Sequence, residues 1–260
     1  MTGTGTPFMD THRHGPGQIV EVGGQFLQFD CGDGTARQIR AANIALEEVK
    51  HLFLTHLHTD HTHGLSQFII GGWILGRREL HIHGAGRVQH LMDHLWEAYS
   101  DDLESRLTVR ESAGLMDIDI QQVHSGLITE TDHYKVTAAP AKHVLDSHGF
   151  RVDGDNGSVV ITGDTSYTPS LVELATGAHT IVHECFLGER NLPGPLEKIT
   201  QLHSTPELAA RTAAEAGVQR LVLTHVTRNI DPEDMVARAK TIFDGEVVVA
   251  VDLQEFSCDF

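Results

Sequence analysis

Ten consecutive residues, Thr55-His56-Leu57-His58-Thr59-Asp60-His61-Thr62-His63-Gly64, hold four histidines and an aspartate. Imidazole nitrogens and carboxylate oxygens are the usual ligands of zinc and similar ions. An apolar strand ends at Thr55, and the polar groups follow on a loop. From an extended segment the alternate residues His56 and His58 can point the same way, while Asp60 and His61 turn back toward a second position. Two ions close together need more ligands than this loop carries. The rest of the chain offers them in a recurring context: His143 in Ala-Lys-His-Val, Asp164 in Thr-Gly-Asp-Thr and His225 in Leu-Thr-His-Val. Each stands just past the C-terminal end of an apolar run, where α/β folds place their sites. The chemistry this set suggests is activation of water by metal.

The elements that must position these groups can be read from pattern and punctuation. Gln18–Val22 and Gln25–Phe29 read as a hairpin turned by Gly23-Gly24. Residues 35–45 read as a helix. Short strands 52–55 and 80–83 then alternate with a helix after Gly64 and another from Gly86 to about Ser100. Asp119–His124 and Tyr134–Ala139 read as strands. The second half reads strand 158–162, helix 169–175, strand 180–183, helix 206–216, strand 221–224, helix 232–243 and strand 246–251. One helix is especially well signalled. Ser204-Thr205-Pro206-Glu207 fits a capping box with Ser204 as the cap, and Gly217 supplies the left-handed stop. His203 then sits at a helix start, held firmly by secondary structure.

Composition excludes several classes. With 40% hydrophobic and 21% charged residues over 260, the chain is neither disordered nor fibrous. Its longest apolar runs, such as Ser158-Val159-Val160-Ile161, are strand-sized, so no membrane span is expected. The first ten residues lack the basic and apolar regions of a signal peptide, and a cytoplasmic location is expected. Cys31, Cys185 and Cys258 are widely spaced without a CxxC, which favours free thiols in a reducing compartment. The net charge of −17 disfavours unaided binding to nucleic acid or anionic lipid.

The HxHxDH run with the later His, Asp and His resembles the metallo-β-lactamase superfamily, and Phe29-Asp30-Cys31-Gly32-Asp33-Gly34-Thr35 resembles its Asp-bearing turn behind the metal site. The resemblance covers nearly the whole chain. It implies a single α/β domain over residues 1–260, an αββα sandwich of two mixed sheets flanked by helices. It further implies that His56, His58 and His143 bind one metal, that Asp60, His61 and His225 bind the other, and that Asp164 bridges both. The implied cofactor is two Zn²⁺ ions, with Mn²⁺ or Fe²⁺ as alternatives. Val182-His183-Glu184-Cys185-Phe186 and His203-Ser204-Thr205 resemble segments of the ribonuclease Z branch. The stretch from Trp73 to Gly84 and the ending around Asp252 look like its arylsulfatase-type subgroup.

By resemblance, Asp60 holds the nucleophile while ligating metal. His203 stabilises the developing oxyanion or protonates the leaving group, and Glu184 orients it. The implied activity is attack by a metal-bridging hydroxide on a phosphodiester, phosphate or sulfate ester of a small molecule, in an enzyme whose branch forms homodimers. The alternatives are a ribonuclease Z-type RNA endonuclease and a lactonase. The interval from His143 to Asp164 has room for one hairpin and not for the long tRNA-binding arm of ribonuclease Z, so nucleic acid is not the expected partner. A diiron oxidoreductase would need a carboxylate where His58 stands. Asp30 has two open readings, a cap of the following turn or a carboxylate that orients a ligand histidine. His63 is read as outside the ligand set, Cys185 as a small buried hydrophobe, and Trp73, Trp96, Tyr99 and Phe186 as core or lid residues.

Overall fold

The Gly23-Gly24 signal forms a two-residue hairpin in the computed structural model, which describes residues 1–189 and 199–258. Both glycines have positive φ, 56° and 72°, as the tight turn matching strand twist requires. The strands it joins are β1 (Gln18–Val22) and β2 (Gln25–Phe29), antiparallel in register from Gln18 opposite Phe29. Three parallel strands extend this sheet: β3 (His51–Leu54), β4 (His81–Gly84) and β5 (Asp119–Gln122), in the order β1-β2-β3-β4-β5. Its helices are α1 (Thr35–Ala41), the single turn α2 (Thr59–Thr62), α3 (Leu65–Leu75), α4 (Val88–Ala98) and α5 (Ser100–Leu107).

The second sheet has the order β12-β11-β10-β9-β8-β7-β6. It comprises β6 (Gly126–Glu130), β7 (Tyr134–Pro140), β8 (His148–Gly154), β9 (Gly157–Ile161), β10 (Thr180–Glu184), β11 (Arg220–Thr224) and β12 (Glu246–Val249). The first four pair antiparallel and β9 to β12 run parallel. Helices α6 (Pro169–Ala175), α7 (Pro206–Ala216) and α8 (Pro232–Lys240) complete it.

The two-residue period of strands explains the layering. In β3, Phe53 faces the other sheet and joins Phe29, Phe150, Val152, Ile161 and Val222 in a core between sheets. Its neighbours Leu52 and Leu54 face outward and pack with Phe68, Ile69, Trp73 and Met92 under the helices. In β11, Val222 faces in while Leu221 and Leu223 pack under Ala209, Ala213 and Met235. The result is the four-layer αββα arrangement. Among the described residues no helix is long and apolar enough to cross a membrane.

Several expected elements are adjusted. The helix expected over 35–45 stops at Ala41, and Asn43 turns the chain with a φ of 61°. The helix expected to run to Ser100 breaks at Tyr99, and the largely polar α5 follows, turning only Leu103 and Leu107 toward the outer core. Strand β8 is an addition: Phe150 and Val152 enter the core between sheets, while Arg151 and Asp153 pair with each other at 2.8 Å on the opposite face. Strand β6, largely exposed, is also an addition. The cap of α7 is Thr205, whose hydroxyl accepts from Leu208 N at 3.4 Å. Ser204 is instead buried, and its hydroxyl donates to the Thr165 carbonyl at 2.8 Å. Glu207, expected to reach back to the cap, grips Arg238 of α8 with both oxygens at 2.7 and 2.9 Å.

Stacked rings line β3 and β4. His51 lies 4.9 Å from His81, and Phe53 lies 4.7 Å from His83. His83 is 4% exposed and neither ring nitrogen has a partner. Burial, reinforced by His51 and His81, pushes its pKa down to about 4. The unfolded chain therefore takes up a proton below about pH 6.5 that the folded chain refuses until about pH 4. Stability is thus fully present above pH 6.5 and is lost as pH falls toward 4, by roughly 3 kcal/mol from this group. His83→Phe should stack equally well on Phe53 and flatten that slope, stabilising the protein more at pH 5 than at pH 7.5. Urea midpoints at the two pH values read this, and an unchanged difference between them would count against the assignment.

Candidate metal centre

Each polar residue singled out at a strand end is carried to one edge of the sandwich. The chain leaves β2 at Asp30 in a left-handed conformation, φ 54°, which a non-glycine residue holds only when its surroundings enforce it. Here the side chain does so. Asp30 Oδ1 accepts from Thr55 N at 2.8 Å, both oxygens accept from the Thr55 hydroxyl at 3.1 and 2.9 Å, and Oδ2 accepts from His61 Nδ1 at 2.7 Å. Of the two readings of Asp30, the structure therefore favours orientation of a histidine. With Nδ1 committed to Asp30, His61 Nε2 is the buried nitrogen turned toward Asp164. Behind the loop, backbone packs on backbone. A Cβ on Gly32 would sit 2.5 Å from the Asp60 carbonyl oxygen, so only glycine allows Asp60 its place.

Two candidate ligand sets result. The ligand atoms of His56, His58, His143 and Asp164 all lie within 4.8 Å of one another, and so do those of Asp60, His61 and His225. Asp164, 2% exposed, divides between them. Its Oδ2 lies 3.8 Å from His56 Nε2 and 4.0 Å from His143 Nε2, while its Oδ1 lies 3.3 Å from His61 Nε2 and 3.6 Å from His225 Nε2. His58 Nδ1 stands 2.9 Å from His56 Nε2 and 3.1 Å from His143 Nε2. The backbone fixes the remaining rings. His143 Nδ1 donates to the Leu202 carbonyl at 3.2 Å, and His225, at a φ of 54°, turns its Nε2 to within 3.1 Å of Asp60 Oδ2.

The electrostatics of this site fit a cation. Burial holds the pKa of His56, His58 and His143 below the ordinary histidine value, so their rings are neutral and offer lone pairs. Burial also opposes a charge on His61, yet Asp164 and Asp30 outweigh it and hold its pKa well above the usual value. Burial likewise opposes the Asp164 carboxylate, but His225 and His61 keep it ionised. The pocket thus favours positive charge beside two buried carboxylates. Nitrogen lone pairs converging within hydrogen-bond distance, with Asp164 Oδ1 and His61 Nε2 orphaned, are the donor set of zinc-type ions.

Beside this cluster stands a second constellation. Glu184, at the end of β10, is 1% exposed. Its Oε1 accepts from His203 Nδ1 at 2.9 Å, Thr165 N at 3.1 Å and Ser204 N at 3.2 Å, and its Oε2 accepts from Phe186 N at 2.8 Å. Those bonds meet the cost of burying a charge. Burial would lower the pKa of His203, but Glu184, with Asp164 adding to it, raises it above the ordinary value. Its Nδ1 is 3.9 Å from Asp164 Oδ2. Phe186 stacks on its ring at 4.7 Å.

All nine residues expected at the site are therefore brought together. His63 is exposed and outside both sets, and Trp73 lies in the outer core. Cys31, Cys185 and Cys258 form no disulfide among the described residues, and burial pushes the Cys185 thiol well above its usual pKa. Thr55 carries a function the sequence reading missed: its hydroxyl joins Asp30 to His56 Nδ1 at 3.0 Å. Its only local signal is its place between the strand and the first histidine.

Known proteins resemble this chain along most of its length. The family model described as "Anti-Pycsar protein Apyc1" matches residues 1–213. A ribonuclease Z from Mycolicibacterium gilvum (strain PYR-GCK) is 31% identical over 97% of this chain and 93% of its own length. One from Mycobacterium sp. (strain KMS) is 33% identical over 97% and 93%. Among solved structures, the short form of human tRNase Z has a TM-score of 0.76 at 22% identity, covering 100% of this chain and 98% of its own. The metallo-β-lactamase fold protein YhfI from Bacillus subtilis has a TM-score of 0.76 at 21% identity, covering 96% and 95%. A diphosphatase from the PhnP family has a TM-score of 0.70 at 18% identity, covering 96% and 92%.

Proposed function

This chain belongs to the family of the anti-Pycsar protein Apyc1 and is a hydrolase of the metallo-β-lactamase superfamily, and from that premise we propose that it cleaves a phosphodiester, phosphate or sulfate ester of a small molecule with two zinc ions. The observation that carries this reading is the Asp164 carboxylate shared between two sets of ligand atoms, with the His203–Glu184 pair beside it. His56, His58 and His143 would hold one ion, Asp60, His61 and His225 the other, and Asp164 both. Bound zinc lowers the pKa of coordinated water toward neutrality and polarises an ester oxygen, chemistry that manganese or iron could also supply.

The chain's own residues do the rest. Asp60 accepts a hydrogen bond from the attacking water and so holds its lone pair toward the substrate. Glu184 accepts a hydrogen bond from His203 Nδ1–H, which leaves Nε2 as the nitrogen that faces the departing oxygen. Glu184 raises the pKa of His203, which favours the protonated ring that can donate there. Three backbone N–H groups on Glu184 fix the pair, so little reorganisation is needed at the moment of transfer.

A small substrate suits the net charge of −17 and the short loop between β7 and β8, which leaves no room for an RNA-gripping arm. The second reading, an RNA endonuclease, is favoured by the relatives named ribonuclease Z. Zinc-loaded protein is expected to contain two zinc ions per chain by elemental analysis and to hydrolyse bis(4-nitrophenyl) phosphate, with 4-nitrophenyl phosphate, 4-nitrophenyl sulfate and a lactone ranking the ester class. Precursor tRNA should remain uncut at physiological salt. One ion or none would defeat the dinuclear reading, and efficient 3′ cleavage of the precursor would install the endonuclease in its place.

A further inference from the structure

The beginning of the chain brings an exposed aromatic ring to the edge of the metal centre. Residues 3–5 return against 14–17, with Gly3 paired to Gly17 and Gly5 N donating to the His14 carbonyl at 2.8 Å. Asp252 pins the base of this hairpin. Its carboxylate accepts from Thr4 N at 3.0 Å, the Thr4 hydroxyl at 2.7 Å and His14 N at 2.7 Å, and lies 3.0 Å from His14 Nδ1. The Thr4 carbonyl then accepts from Val226 N at 3.0 Å, one residue after His225. The arm is thus tied directly to the strand end that bears a candidate ligand.

At its tip, Met9 has a φ of 54° and Phe8 is 65% exposed. The Phe8 ring centre lies 5.6 Å from that of Phe186. Phe186 is itself buried, 4.7 Å from His203 and 5.7 Å from His225. A staircase of rings therefore runs from solvent to the residue placed at the departing oxygen. Leu145 and Val144, next to His143 in the chain, add exposed apolar surface. A metal-binding floor of histidine and carboxylate thus carries an apolar rim. A large ring left in water on a pinned loop costs apolar hydration that a flat partner would relieve.

We infer that Phe8 is a specificity-determining platform on which an aromatic or heteroaromatic substituent of the substrate stacks, beside the ester that the metal centre holds. This rests on the phosphoester reading above and adds the chemical class of the group attached to the phosphate. The ring staircase ends on His203, which makes the substrate the occupant that this geometry favours.

The test is calorimetric titration of the zinc-loaded protein with phenylphosphonate and with methylphosphonate. Both present the same head group, so their affinity ratio isolates the ring. Stacking on an aromatic side chain predicts a preference for phenyl of roughly five- to a hundredfold. Phe8→Ala should bring the ratio to within about twofold while leaving methylphosphonate affinity unchanged, and Phe8→Trp should keep the preference. The exposed position makes both variants safe for folding. An equal ratio in wild type and Phe8→Ala would overturn the platform and leave the hydrolase reading standing, because both compounds still bind. If neither phosphonate binds wild type, both readings fall together.

Discussion

Replacing His203 with alanine is expected to lower kcat by about 10²- to 10⁴-fold, the range for loss of a positioned acid, while both zinc ions are retained. The loss should be greatest for esters with poor leaving groups, since a good leaving group departs without a proton. Glu184→Gln should show a milder kinetic defect of the same kind, through misorientation of His203. The structure adds a second consequence. All four partners of Glu184 are donors, so an amide NH₂ must face one of them, and a lost buried hydrogen bond costs about 1–3 kcal/mol in stability. The double mutant should be strongly non-additive in kcat if the two residues form one proton-transfer unit. Metal content, thermal stability and kcat for the four proteins decide the matter. His203 also shares a cluster with Asp164 and His225, so loss of zinc from His203→Ala would reassign it as a ligand. Unchanged turnover would make it only a histidine at a helix start.

Asp164→Asn is expected to reduce zinc from two ions per chain to one or none. The carboxylate offers an oxygen to each ligand set, whereas the amide offers one oxygen and turns an NH₂ donor toward the other. Activity should fall by more than about 10²-fold, the upper end for groups that only orient a ligand. Asp30→Asn provides the comparison. Asp30 holds His61 through a single hydrogen bond of 2.7 Å and touches none of the expected ion positions, so its loss should cost about 10- to 100-fold in metal affinity. Equilibrium dialysis against zinc, with circular dichroism to verify the fold, separates the two. An Asp164→Asn protein that keeps two zinc ions and full activity would remove the bridging role.

The nine residues expected at the site could be seen to converge because of where they stand in the chain. Each candidate ligand follows an apolar run that could be read as a strand, and strand ends in α/β sheets converge on one edge. The helices Pro169–Ala175 and Pro206–Ala216 were legible to the residue because proline starts both and Gly217 ends the second. Strand β8 does alternate, Phe150 and Val152 inward with Arg151 and Asp153 outward, but two apolar residues between Gly149 and Gly154 are a short signal, and its place is fixed by pairing with β7 and β9. The cap of α7 moved to Thr205 because Ser204 finds a stronger claim on its hydroxyl, the Thr165 carbonyl across the site.

By itself the sequence determined which residue types gather and where along the chain the strands that carry them stop. Short-range stereochemistry decides those things, through side-chain alternation, positive-φ glycines and proline starts. Only the tertiary structure decided how each group is used. It placed Asp30 against His61, divided the Asp164 oxygens between two sets, left His83 neutral between the sheets and hung Phe8 over Phe186. Each of these depends on the burial of a polar or aromatic group by residues distant in the chain, as when Asp252 fixes Thr4 and His14. Desolvation and hydrogen-bond partnership arise only when those segments meet, so no local pattern can carry them.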